Sequence, residues 1–241
     1  MGVSRTIVVT GGGTGIGRAL AERFRGDGDQ VVITGRRPEV LEKAAAELGA
    51  RAVVCDGTDP AQVRRLAEQL DEVHVLVNNA GGNTDFTDSS GDDDLEQVKQ
   101  SWLANLEANL LTAVLATTAI GPRLADGGAV VHVGSIAGAS GSGSYGASKA
   151  GLAVWNQNIA AELGPRGITS NVVAPGFTAE TEFFRDRLTG ERRQKLLEAT
   201  MTKREGEVSD VVAAIHFLAS PGARHITGQV LHVNGGALTT R

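Results

Sequence analysis

One tyrosine stands in this chain of 241 residues. A lysine follows it at the fourth position, in Tyr145-Gly-Ala-Ser-Lys149. A free phenol titrates near ~10, so it serves as a base at neutral pH only where a neighbouring positive charge favours the phenolate. At this spacing near a helix start, phenol and ammonium share one helix face. Taken alone such a pair is more often an ordinary helix-surface contact, but here it is flanked by Gly143, Ser144, Gly146, Ala147 and Ser148, which leave room for ligands. A second stretch, Thr10-Gly-Gly-Gly-Thr-Gly-Ile-Gly17, has the composition of a phosphate cradle. Glycines let the backbone turn sharply and approach an anion, whose charge is met by unpaired N–H groups where a helix begins. The stretch continues as Arg18-Ala19, without the Gly-Lys-Ser/Thr of nucleoside-triphosphate loops, and its spacing is not Gly-x-Gly-x-x-Gly. Ser135 closes a further apolar run, at a place where serine serves turns as readily as chemistry.

These residues need elements to position them, and the chain supplies short β-branched runs alternating with stretches of helical period. The runs Thr6 to Thr10, Gln30 to Thr34, Arg51 to Cys55, Val73 to Asn78, Ala129 to Gly134, Ile168 to Ala174 and Gln229 to Val233 predict strands. Helices are predicted over Gly15 to Gly26, Pro38 to Leu48, Pro60 to Leu70, Asp93 to Leu124, Ser144 to Leu163 and Ser209 to Ala219. A shorter helix is predicted around Glu191 to Ala199. Pro38 and Pro60 sit where first-turn prolines belong, with Asp59 and Ser209 as N-caps. The alternation implies one α/β domain: a doubly wound, Rossmann-like, seven-stranded parallel sheet with helices on both faces and right-handed crossovers. The glycine stretch then lies between the first strand and the first helix, and Ser135 at a carboxyl strand end, where ligands of such sheets bind. Two polar segments fall outside the alternation, Gly81 to Asp92 and Phe177 to Glu207. The second is read as the wall of a ligand site, because long loops at carboxyl strand ends form such walls.

Composition narrows the classes. A formal net charge of -5, with no basic cluster longer than a pair, argues against a nucleic-acid partner. One cysteine, Cys55, and no Asn-x-Ser/Thr site point to a reducing cytoplasm, and the start of the chain lacks the apolar core of a signal peptide, so the mature protein is expected to begin there. No run of 18 apolar residues exists, and Leu110 to Ile120 is broken by three threonines, so no spanning helix and no membrane partner are expected. The five histidines stand singly without ligand spacing, so no metal is expected.

Thr-Gly-x-x-x-Gly-x-Gly over Thr10 to Gly17, Asn78-Asn-Ala-Gly81, Tyr145-Gly-Ala-Ser-Lys149, Asn171-Val-Val-Ala-Pro-Gly176 and Ile226-Thr-Gly-Gln-Val-Leu-His-Val-Asn-Gly-Gly236 follow one another through essentially the whole chain. In this ordered set the chain resembles the short-chain dehydrogenase/reductase family, and within it the 3-oxoacyl-carrier-protein reductase branch. The resemblance implies an enzyme that transfers a hydride between a nicotinamide and a carbonyl or alcohol carbon. Tyr145 is then proton donor and acceptor, Lys149 and the positive nicotinamide lower its pKa, and Ser135 bonds the substrate oxygen. Asn109, seven residues after Trp102, matches the family asparagine that holds a water in the proton relay; an amide satisfied in a helical interface accounts for it as well without the resemblance. Ser135 departs from the family, standing ten residues before Tyr145 where thirteen are usual. Ser140, Ser142 and Ser144 are alternatives, but a shortened flexible loop can leave its flanking elements in place, so Ser135 is chosen.

By the same resemblance, Gly11, Thr14, Gly15, Ile16 and Gly17 form the cofactor bed with Asn79, Ala80 and Gly81, and Asp56 with Gly57 meets the adenine. Pro175, Gly176 and Thr178 approach the nicotinamide carboxamide, with Thr181 an alternative to Thr178 because the expected hydroxyl comes one position late. Where NAD enzymes place an acidic residue at the end of the second strand, this chain has Gly35 followed by Arg36 and Arg37, so NADP(H) is favoured over NAD(H). Residues 177–207 become a substrate lid in which Phe177, Phe183 and Phe184 contact a small carbonyl or alcohol. A homo-oligomer, tetramer or dimer, is expected, with Leu106 to Ile120 and the face of Leu152, Trp155, Ile159 and Leu163 compatible with its interface; core packing accounts for them almost as well. The alternative from another class is a non-catalytic dinucleotide-binding sensor or scaffold.

Overall fold

The computed structural model describes residues 4–84, 94–179 and 189–240. Seven strands, β1 (Thr6–Thr10), β2 (Gln30–Gly35), β3 (Arg51–Val54), β4 (Val73–Asn78), β5 (Leu124–Val133), β6 (Thr169–Pro175) and β7 (Val230–Val233), form one sheet in the order β3-β2-β1-β4-β5-β6-β7. Every pairing is parallel. The helices are α1 (Gly15–Gly26), α2 (Pro38–Leu48), α3 (Pro60–Glu68), α4 (Leu95–Leu106), α5 (Thr112–Ile120), α6 (Ala137–Ser140), α7 (Gly143–Leu163), α8 (Gly190–Ala199) and α9 (Val208–Leu218). A π-helical turn, Glu107–Leu111, joins α4 to α5.

Successive side chains of a strand point to opposite faces, so each strand feeds two cores. Ile7, Val9, Val31, Ile33, Val131 and Val133 meet Leu20, Phe24, Leu41, Val211 and Ile215 of α1, α2 and α9. Val8, Val32, Leu76 and Val130 meet Val63, Leu66, Ile120, Ile159 and Leu163 of α3, α5 and α7. This double burial is why the strands read as apolar runs. Cys55, just after β3, lies in the second core, where burial, and after it the Asp56 carboxylate, pushes its thiol up. Because β1 pairs with both β2 and β4, the direction of winding reverses at β1, and the loops after β1, β4, β5 and β6 share the carboxyl edge.

Three expectations change in the structure. α9 is capped by Glu207 in a reciprocal capping box with Asp210, and Ser209 lies inside the helix, because the carboxylates reach the free N–H groups from positions where the serine does not. The side chains of Leu152, Ile159 and Leu163 are buried, the last two in the second core with Trp155 against it, so this face belongs to the core. The helical stretch 95–123 is long and apolar enough to cross a membrane by length and composition alone, although threonines interrupt its apolar run. It is nonetheless a layer helix: α4 and α5 pack on α7, α3, β4 and β5, and the stretch buries Asn105 and Asn109.

Candidate active site

The cradle after β1 is shaped by contacts that leave no room for side chains. A Cβ at Gly17 would stand 2.2 Å from the Gly11 carbonyl oxygen and 2.4 Å from Asn79 Nδ2. Gly11 has φ +66°, a conformation glycine adopts freely. Asn79 Nδ2 donates to the carbonyls of Thr10 and Gly11, both at 3.0 Å, and Thr10 Oγ1 accepts from the N–H groups of Asn79 and Ala80, also at 3.0 Å. The loops after β1 and β4 are thus tied together through Asn79. Among the described residues, α1 begins after Thr14 with no side-chain cap, and nothing lies within 4 Å of a Cβ at Gly15. An uncapped helix start beside open space suits an anion such as a pyrophosphate. Ile16 is half-buried and packs on the first core.

Along the same edge, Asp56 Oδ1 accepts from the N–H and Oγ1 of Thr58, at 3.0 and 2.8 Å. The Thr58 backbone bond leads in holding the carboxyl below its ordinary range, and Arg36 adds to the effect. Gly57 packs against Thr112, where a Cβ would come within 3.3 Å of the threonine methyl. Arg36 and Arg37 are both exposed, Arg37 at the N-cap of α2, and a Cβ at Gly35 would meet only Leu41 Cδ1, at 3.4 Å.

Tyr145 lies in the first turn of α7, buried, and its hydroxyl shares a hydrogen bond with Ser135, ten positions earlier. That short spacing closes because residues 137–140 wind into α6, which packs on α7. A Cβ at Gly138 would come 2.9 Å from the Ala150 nitrogen, and one at Gly146 2.8 Å from the Ala137 carbonyl. The segment read as a flexible loop is a packed helical turn. Ser144 Oγ faces the other way, to Asn105, so Ser135 is the serine at the phenol. Since Ser135 Oγ already accepts from the Ala137 N–H at 3.2 Å, its own proton is the one it can donate.

Lys149 Nζ donates to the Val133 carbonyl at 2.9 Å and lies 5.8 Å from the centre of the Tyr145 ring. Burial pushes the amine down to about 8, leaving it charged at neutral pH. Burial also pushes the phenol up to about 12, with the Ser135 bond acting weakly against it. This reverses the direction expected from Tyr-Lys spacing: in the protein alone, desolvation of the phenolate outweighs any lowering, and the phenol keeps its proton at neutral pH. A Cβ at Gly81 would stand 2.6 Å from Asn109 Oδ1 and 3.4 Å from Lys149 Nζ, so both groups flank this glycine. Asn109 sits in the π turn, a distortion frequent at functional sites. Its Oδ1 accepts from the Gly82 N–H at 3.0 Å, and its Nδ2 donates to the Gly82 carbonyl at 2.7 Å.

This edge juxtaposes an anion cradle, a phenol bonded to a hydroxyl and a buried ammonium, and the sequence profile of a family described as enoyl-(acyl carrier protein) reductase matches residues 11–238. The chain is a short-chain dehydrogenase/reductase.

Like other members of the short-chain dehydrogenase/reductase family, it is an oxidoreductase with a Rossmann-like fold. It is 35% identical over 241 residues to a 3-oxoacyl-[acyl-carrier-protein] reductase of Escherichia coli, covering 95% of each chain. Among solved structures it is similar to a blue fluorescent protein from a metagenomic library in complex with NADPH, with TM-score 0.84, 33% identity and 98% of both chains covered. It is also similar to a 7α-hydroxysteroid dehydrogenase complexed with NADH and 7-oxo glycochenodeoxycholic acid, with TM-score 0.84, 28% identity, and 98% of this chain and 95% of that one covered.

Pro175 ends β6, and a Cβ at Gly176 would meet Asn234 Cβ at 2.7 Å. Thr178 is buried, with Oγ1 3.4 Å from the Gly176 carbonyl, and forms a parallel bridge with Gly206. The ends of the segment 177–207 are therefore fastened together. Thr181, Phe183 and Phe184 lie outside the described residues, as does most of the loop 81–92.

Sequence reasoning missed two buried groups. Asn105 is fully buried and bonded to Ser144, and its signal was a second asparagine one helical turn before Asn109. His132 is also fully buried, with Nδ1 3.1 Å from Asn78 Nδ2 and Nε2 3.3 Å from Ser170 Oγ. Burial, and after it Lys149, pushes its pKa down to about 3, so the imidazole is neutral and structural. No spacing signal singles it out.

Proposed function

We propose that this oxidoreductase interconverts a carbonyl and an alcohol, with NADP(H) preferred to NAD(H) and Tyr145 as the proton donor and acceptor. The observation that carries the reading is the Ser135–Tyr145 hydroxyl pair beside a charged, buried Lys149 at the same sheet edge as the uncapped start of α1. The nicotinamide, when bound, supplies or takes the hydride. In reduction, Tyr145 gives its proton to the substrate oxygen as the carbonyl carbon receives the hydride, so a neutral alcohol leaves. The Ser135 hydroxyl donates to the same oxygen and stabilises charge developing there. Lys149, fixed by the Val133 carbonyl, keeps a positive charge near the phenol. In oxidation Tyr145 must first lose its proton, which its burial opposes, so that direction gains from alkaline pH.

Residues 11–17, with Asn79 to Gly81, suit the pyrophosphate side of the cofactor, Asp56 and Gly57 the adenine, and Pro175 to Thr178 the carboxamide. Arg36, exposed beside Gly35 where an acidic residue would repel a phosphate, suits the ribose 2′-phosphate. A charge-assisted bond of this kind contributes about 1.5–3 kcal/mol, so Arg36→Ala should weaken NADPH binding roughly 10- to 100-fold and leave NADH binding unchanged. Fluorescence titration with both nucleotides checks this; equal affinity of wild type and variant for NADPH would remove the phosphate clamp. Residues 177–207 serve in this reading as the lid over the substrate.

We also propose that the chain assembles with copies of itself. On α4, Leu95 is 81% exposed, with Val98, Trp102 and Leu103 beside it, and Val154 on α7 is 68% exposed. Such side chains are usually covered in soluble enzymes. Light scattering should give a multiple of 24.9 kDa, and Trp102→Glu should lower it; a monomer in the wild type overturns the proposal.

A further inference from the structure

The start of α7 is weakly specified by its own residues. Gly141 and Gly143 both have positive φ, 74° and 53°, and the N-cap residue Ser142 makes no side-chain cap. A glycine-rich, uncapped helix end frays readily, yet the third residue of this helix is Tyr145. Something outside the helix must hold that turn.

Asn105 supplies the hold. From α4 its Nδ2 donates to Ser144 Oγ at 2.7 Å, one residue before the tyrosine, and both partners are buried. Its Oδ1 accepts from the Thr84 N–H at 3.1 Å, and its carbonyl accepts from Asn109 Nδ2, also at 3.1 Å. With Gly82 gripped by Asn109 on both its N–H and its carbonyl, the strand-end segment 82–84 is fastened to α4 and the π turn after it by two asparagines one turn apart. On the opposite side, α6 rests against α7 through Gly138 and Gly146. The first turn of α7 is therefore held between α6 and α4.

An apolar side chain would fill position 105 without the desolvation of a buried amide, which is unfavourable unless its hydrogen bonds are made. Here they are made, and to the two segments that border the phenol. A directional bond sets the rotation and height of a helix end, whereas apolar contact tolerates sliding.

We propose that Asn105 is a positioning residue: through Ser144 it holds the Tyr145 phenol in register with Ser135, and through Thr84 it ties the loop after β4 to the same frame. The catalytic part of this inference rests on the reading of Tyr145 as proton donor.

Because the chain has one tyrosine, its ring can be observed alone. Protein labelled with 13Cζ tyrosine should give one line, followed in wild type, Asn105→Leu and Ser144→Ala, alongside kcat, KM and NADPH affinity over a carbonyl panel. Expected are a displaced or broadened line in both variants and kcat per folded site lowered about 10- to 100-fold, as misplacement near 1 Å does. NADPH affinity should stay within about twofold in Ser144→Ala, which leaves the Asn105–Thr84 bond in place. An unmoved line in both variants overturns the proposal, and so does a moved line with kcat within twofold of wild type. Ser144→Ala deletes one oxygen and keeps the test open if Asn105→Leu fails to fold. If wild type reduces no carbonyl, the proton-donor reading fails by itself, and the tyrosine line still decides whether Asn105 places the ring.

Discussion

Tyr145→Phe is expected to lower kcat for carbonyl reduction by about 10²- to 10⁴-fold, the usual contribution of a positioned proton donor, while NADPH binding should stay near the wild-type value. The effect is large because the phenol, pushed up to about 12 by burial, carries its proton at neutral pH and is bonded to Ser135. Phenylalanine keeps the buried ring and removes only the atom that reacts, so the fold is retained and the Ser135 proton alone faces the substrate oxygen. Ser135→Ala should cause a smaller loss, since it removes a stabilising donor and leaves the transferred proton in place. The measurement is NADPH oxidation under saturating carbonyl for wild type and variant, with affinity titrated separately. Turnover within tenfold of wild type in Tyr145→Phe would falsify the assignment of the proton donor.

Lys149→Met is expected to abolish turnover and, at neutral pH, to stabilise the protein in the absence of cofactor. The amine is held at about 8 in the folded chain against an ordinary value of 10.5, because burial disfavours its charge. Between those two pH values the unfolded chain binds more protons than the folded one, so wild-type stability rises with pH through this window. Below pH 8 the full penalty applies, on the order of 3 kcal/mol. The methionine removes that penalty and leaves the Val133 carbonyl without its donor, a partial offset of about 1 kcal/mol. Denaturant unfolding at pH 7 and near pH 10 checks the sign: the variant is more stable at pH 7, and the difference shrinks on going to pH 10. A variant no more stable than wild type at pH 7 removes the argument. The expected result makes the buried ammonium a case where stability is exchanged for a charge beside the phenol.

What could be read in the sequence was local. The strand runs, the glycine stretch between β1 and α1, the first-turn prolines and the cap at Asp59 depend on neighbours within a few positions, and each appears where expected, except that β5 starts at Leu124, five residues before the predicted Ala129. The order of the Thr10–Gly17, Asn78–Gly81 and Tyr145–Lys149 motifs is a property of the linear chain, and it was enough to place the family. Even the exception at α9 is local, a capping box between Glu207 and Asp210 that starts the helix before Ser209.

What only the tertiary structure decided concerns groups far apart in sequence. The ten-residue step from Ser135 to Tyr145 is short by the family measure, and the hydroxyls meet because α6 lies directly on α7 through two glycines. The carbonyl that fixes Lys149 comes from β5, the amide that holds Ser144 comes from α4, and His132 finds its partners on β4 and β6. The direction of the Tyr145 pKa was likewise beyond the sequence. Spacing brings a lysine near the phenol, which favours the phenolate, while the depth of burial disfavours it more strongly. Burial is set by everything packed around the ring and is written in no single stretch of chain.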